Sequence, residues 1–146
     1  SSHVGDNFLS LYKKCFFMNK IINKQNGINI ISTYKRVTNI LEQETKNETE
    51  KISDQPDSIL FVKNEEKLLL DKINEIRLNF KSASKDENYD NFIQVLSDTK
   101  AIIDTFFDNV VVNDEDINIK KNRLKLLQMF CNTYDNFINF SKIEGL

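Results

Sequence analysis

The sequence predicts an all-α protein, a bundle of about five to six helices, on three observations. Only 3 glycines and 1 proline interrupt 146 residues, which suits long helices rather than strands and tight turns. Apolar residues recur at three- and four-residue spacing through most of the chain. The last such stretch is apolar over so wide an arc that it belongs at the centre of a bundle. With 40% hydrophobic and 29% charged residues, one domain with its own core is expected over 4–145. Ser1, Ser2 and His3 read as a vector remnant that carries the only histidine, and Leu146 as a second such residue.

The elements follow in order. Residues 4–24 place Phe8, Cys15 and Ile21 at helical spacing, and Gly27 is the expected C-cap. A second helix over 28–46 buries Ile30, Ile31, Tyr34, Val37, Ile40 and Leu41. Residues 47–63 contain Pro56, lose the periodicity and predict an extended loop. Its apolar run Ile59-Leu60-Phe61-Val62 is expected to clip onto the bundle. From Asn64, read as an N-cap, Leu68, Leu69, Ile73, Ile76 and Phe80 define a third helix, with Glu65 and Glu66 suited to its positive start. The polar SASKDE segment is read as a turn, followed by two short helices over 87–97 and 98–108. The β-branched run Val110-Val111-Val112 predicts an extended connector. Asn113-Asp114 or Asp116 then caps a final helix over 116–142, with Leu124, Leu126, Leu127, Phe130, Cys131, Tyr134 and Phe137 among its apolar positions.

Composition also bounds function. A net charge of −2 provides no global basic field, so contact with a polyanion needs a local patch. Cys15 and Cys131 lie among apolar residues and read as structural thiols of a reducing cytoplasm. No apolar run approaches the roughly 20 residues that span a bilayer. There is no Gly-rich phosphate loop, CxxC, GxSxG or metal-ligand cluster, so neither catalysis nor a resident cofactor is expected of this segment.

Two basic clusters remain. Lys35 and Asn39 share one exposed helix face with Arg36 on its flank. Lys120, Lys121, Arg123 and Lys125 open the last helix, where Lys121 and Lys125 face outward. Either cluster could meet phosphates or simply be a solvated face, and Asn39, Asn109 and Asn122 could read base edges. Arg123 lies nearer the apolar arc and is expected to pair inward with Asp104 or Asp108, bracing the last helix against the FFDN segment. Phe106 and Phe107 read as core in preference to base-stacking platforms.

IIDTFFDNVVVNDEDINIKKNRLKLL at 102–127, with NFSKIEG at 139–145, resembles the C-terminal segment of the bacterial glycyl-tRNA synthetase beta subunit, in alphaproteobacterial form. ISTYKRVTNIL and SILFVKNEEKLL resemble two earlier segments of that family in the same order. Ile102 stands where many members carry a helix-starting proline. The resemblance implies an all-α, DALR-type anticodon-binding domain of a glycine–tRNA ligase. It further implies tRNA(Gly) and an alpha subunit as partners, in a heterotetramer that uses ATP and Mg²⁺ while this fragment carries no active site. On that basis Lys35, Arg36, Asn39, Lys121, Asn122 and Lys125 are the candidate tRNA contacts, and Phe106, Phe107, Asp108 and Arg123 the structural brace. The alternative is a helical scaffold that docks on protein without touching RNA.

Overall fold

The computed structural model describes residues 24–143, with side chains from Gln25 to Phe137. It contains α1 (Lys24–Thr45), a 3-10 turn (Ser58–Leu60), α2 (Asn64–Asp86), α3 (Asp90–Asn109) and α4 (Ile117–Ile143). The described residues are thus all-helical outside loops, with four α-helices over a stretch where five of the five to six were expected. The helix expected over 4–24 lies outside the described residues.

Two expected breaks are absent because polar residues at those points make contacts between helices. Gly27 lies inside α1, and the two short helices over 87–108 are the single helix α3. Ser97, read as a boundary, is buried. Its hydroxyl donates to Asn26 Oδ1 at 2.9 Å and accepts from Asn29 Nδ2 at 3.2 Å. The SASKDE segment is the last part of α2, where Ala83 is buried. The helix stops only at Glu87, left-handed at φ 53°, whose N–H reaches the Ala83 carbonyl.

Side-chain pairs fix the packing directions. Asn29 meets Ser97 and Arg36 meets Asp104, both across 68 residues, so α1 runs parallel to α3. Glu66 meets Arg123 and Arg77 meets Thr133 at separations of 57 and 56, so α2 runs parallel to α4. The short 87–89 turn folds α3 back antiparallel on α2. The helices pack as a ring in the order α1, α3, α2, α4. One end of the ring therefore collects the C-termini of α1 and α3 and the N-termini of α2 and α4.

The core lies inside this ring. Phe80, Phe92 and Phe137, one from each of three helices, meet with centroids 5.0–5.6 Å apart. Tyr34 stacks on Tyr134 at 5.7 Å and Phe130 on Tyr134 at 4.4 Å. From Leu124 to Phe137, α4 buries eight hydrophobic residues, which makes it the central helix its wide apolar arc predicts. Burial at Cys131 pushes its thiol far above the usual range, so the group stays protonated and unreactive.

The 46–63 segment folds back along α4. Asn132 Nδ2 donates to Asp54 at 3.0 Å, while Asn122 accepts from the Asp57 N–H at 2.7 Å and donates to the Asp57 carbonyl at 3.0 Å. Of the expected apolar clip only Phe61 reaches the core, whereas Ile59 and Val62 are exposed. The segment is held by these amide hydrogen bonds together with Ile52 and Phe61, which pack against the core.

Arg123 turns inward as expected, but toward different partners. Its Nε donates to Glu66 Oε1 at 3.1 Å, and its Nη1 to the Val111 carbonyl at 2.7 Å and to Asp114 at 3.2 Å. Glu66 Oε2 accepts from the N–H groups of Val62 and Lys63, both at 2.8 Å. Lys63, one residue before the expected Asn64, is the N-cap of α2. The Val110–Val112 connector is extended at Val110 and bends at Val112, with these two residues buried and Val111 exposed, and it delivers the Val111 carbonyl to Arg123. Asp116 caps α4 through the N–H groups of Asn118 and Ile119.

Arg123→Ala leaves the Glu66 carboxylate buried without its charge partner and should cost about 3–5 kcal/mol. Thermal melting followed by circular dichroism reads this, and an unchanged melting temperature would remove the brace from the account.

Candidate nucleic-acid interface

Helical periodicity exposes Lys35, Arg36 and Asn39 on α1 while Tyr34, Val37 and Thr38 face inward. Arg36 is anchored twice. Its Nη1 donates to Asp104 Oδ1 at 2.7 Å, and its guanidinium carbon lies 4.7 Å from the Phe107 ring centroid. Asp104 is shared, because Lys100 Nζ approaches its other oxygen at 2.6 Å. The Lys100 hydrogen bond, aided by the charges of Lys100 and Arg36, holds the Asp104 carboxyl below its ordinary value of 3.8. An open groove of about 450 Å³ adjoins this cluster between α1 and α3, lined by Asn29, Ser97, Asp98, Lys100, Ala101 and Asp104.

The second cluster divides. Lys121 is exposed and Lys125 half-buried, and neither enters an ion pair among the described residues. Asn122, a candidate tRNA contact, is only 2% exposed and spends its amide on the Asp57 backbone. Its side chain is a structural tie, because α4 is covered on this face by the returning loop. Acidic residues crowd the same region, with Asp114, Glu115 and Asp116 directly ahead of α4.

The expected brace residues also separate. Phe106 is fully buried, and Phe107 meets it edge-on at 5.3 Å while staying only half-buried beneath Arg36. Asp108 is exposed and takes part in none of the ion pairs, and Asp104 serves Arg36 rather than Arg123. The reason is rotational: at 68-residue offset α3 presents Asp104 to α1, while Arg123 faces α2. Both basic clusters nevertheless sit toward the same end of the ring, since Arg36 is level with the last turns of α3 and Lys121 lies in the first turns of α4. Sequence reading missed Lys100, although its i, i+4 spacing from Asp104 was a usable signal.

Among the described residues no group of His, Cys, Asp or Glu is placed to hold a metal ion. No helix among them is long and apolar enough to cross a membrane.

The family model described as the DALR anticodon binding domain matches residues 30–144. The chain belongs to this family. Its DALR domain is similar to the glycine–tRNA ligase beta subunit of Rickettsia africae, at 34% identity over 117 residues, covering 80% of this chain and 17% of that protein. It is likewise 32% identical to the beta subunit of a Sulfurihydrogenibium species over 134 residues, or 92% of this chain and 19% of that protein. The DALR domain thus spans less than a fifth of the length of these relatives. No solved structure matches the chain.

Two measurements check the geometry of this DALR domain. Asp104 should titrate below 3.8 in carboxyl-detected NMR, and Lys100→Met should move its midpoint up, because the first cause of the depression is removed. A depressed carboxyl stabilises the fold above its unfolded pKa, so this contribution is lost only as pH falls below 3.8 toward the folded value. Asn122→Ala removes both hydrogen bonds to the Asp57 backbone, so it should cost about 1–3 kcal/mol and speed proteolytic cleavage within 46–57.

Proposed function

We propose that this chain is the anticodon-binding module of a glycine–tRNA ligase beta subunit and that its ligand is the anticodon stem-loop of tRNA(Gly). The observation that carries the reading is the family match across 30–144, in a chain whose relatives at 32–34% identity are beta subunits of that enzyme.

In this reading α1 presents the principal contacts. Lys35 and Arg36 neutralise backbone phosphates, and Asn39, which offers both a donor and an acceptor, reads the edge of an unstacked loop base. Lys121 and Lys125 supply further phosphate contacts near the same end of the bundle. Asn122 is dropped from this set because the loop occupies its amide. The domain contributes binding energy rather than chemistry. Gripping the anticodon arm positions the distant acceptor end for the alpha subunit, where ATP and Mg²⁺ would serve glycine transfer in the cytoplasm.

A scaffold that docks on protein has one observation in its favour. Val62 and Val111 are both exposed, and both lie beside the Arg123–Glu66 pair, so part of the bundle end is apolar. Salt separates the readings, since phosphate contacts release counterions and apolar docking does not.

Titration of the chain with tRNA(Gly) anticodon stem-loops should show affinity falling steeply as salt rises. Lys35→Glu should weaken binding and flatten the salt slope, by about one unit per lost phosphate contact. Substituting the anticodon bases should lower affinity, and equal affinity for all loops would sink anticodon reading.

A further inference from the structure

We propose that Arg36 and Phe107 form a stacking platform for one unpaired nucleobase of the bound RNA loop, with Asp104 as the residue that sets its plane. The proposal rests on the RNA-binding reading above and assigns the recognition step within it.

Three features carry it. First, Arg36 is a planar group held at two points, by the hydrogen bond to Asp104 and by its seat over the Phe107 ring, yet its side chain remains 41% exposed. A guanidinium laid on an aromatic ring offers a flat outer surface, and such planes are where splayed-out bases stack. Second, stability does not explain the arrangement. Exposed ion pairs contribute little, and here one carboxylate holds two cations, at 2.7 and 2.6 Å. Lys100, on that carboxylate, is the cation nearest to a phosphate beside a stacked base. Third, the platform stands at the end of the groove between α1 and α3. Ser97 and Ala101, one turn apart and both small, keep the helices from filling it. The groove is open to solvent, so a nucleotide next to the platform can lie along it.

Asp104 touches no base in this account. It fixes the guanidinium plane through Nη1, so that the stacking surface is set before RNA arrives. Phe107, which sequence reasoning assigned to the core, is the support beneath, and its buried neighbour Phe106 anchors the end of α3.

The experiment is a titration of the chain with anticodon stem-loops carrying 2-aminopurine at successive loop positions. Transfer of a base from the loop stack onto the guanidinium should raise fluorescence at one position. Arg36→Lys keeps the charge but loses the plane. It should abolish that rise and weaken binding about tenfold, with the salt slope unchanged. Asp104→Asn should reduce the rise at the same position while the melting temperature stays within a few degrees of wild type. Binding with no position that brightens, or a rise that survives Arg36→Lys, overturns the platform and leaves the phosphate contacts standing. If no stem-loop binds the wild-type chain, the RNA-binding reading and the platform fall together.

Discussion

The structure depends on a single buried pair, Arg123 and Glu66, which are 3% and 0% exposed. Two charges this deep would be costly if either were left short of partners, and neither is. Glu66 accepts three N–H groups, and Arg123 adds a carbonyl and a second carboxylate to its partners. An apolar pair of the same volume would leave the Val111 carbonyl and the N–H groups of Val62 and Lys63 without partners. The pair therefore completes the hydrogen bonding of three backbone segments where they converge, and so sets how far α2 and α4 are slid along each other.

From that point the α1 flank is placed by a short series of contacts. Arg123 holds Val111, the connector holds the end of α3, and the end of α3 carries Phe106 in the core with Phe107 and Asp104 facing α1. Asn29 and Ser97 pin the other part of the α1–α3 seam. Arg36 is thus located by two helices and a buried brace, although it is itself on the surface. A recognition surface on regular helices keeps its geometry better than one on a loop, which is consistent with the exposed candidates lying on α1, α3 and α4.

Much of this was legible in the sequence, and the failures share a physical cause. Periodicity located α1, α2 and α4 and the central place of the last helix, β-branching marked the break at the valine run, and Asp116 was one of the cap candidates. It also identified Arg123 as inward-facing, because an arginine beside an apolar arc needs a partner inside. Ser97 and Asn122 were misread because a polar residue on a helix looks the same in sequence whether it meets solvent or a neighbouring segment's amide. The partners of Arg123 and Asp104 were beyond reach for a related reason. Spacing says which residues share a face, but which helix lies opposite that face depends on a topology in which α1 pairs with α3 and α2 with α4. The phenylalanine pair at 106–107 shows the same limit, since adjacent residues on a helix point about 100° apart and only one of them can fill the core.

The ring order has a consequence for assembly. Helices α2 and α3 are joined by the three residues 87–89, so their contact closes with little loss of chain entropy. Helix α1 is different, because its partners on α3 are 68 residues away and Asp135, which accepts from the Tyr34 hydroxyl, is 101 residues away. Contacts at such distance in sequence come late in folding. The groove, the Arg36 plane and the Lys35 face therefore exist only once the ring has closed. A chain in which α1 has not yet docked on α3 and α4 therefore lacks the surface on which the proposed RNA contact depends.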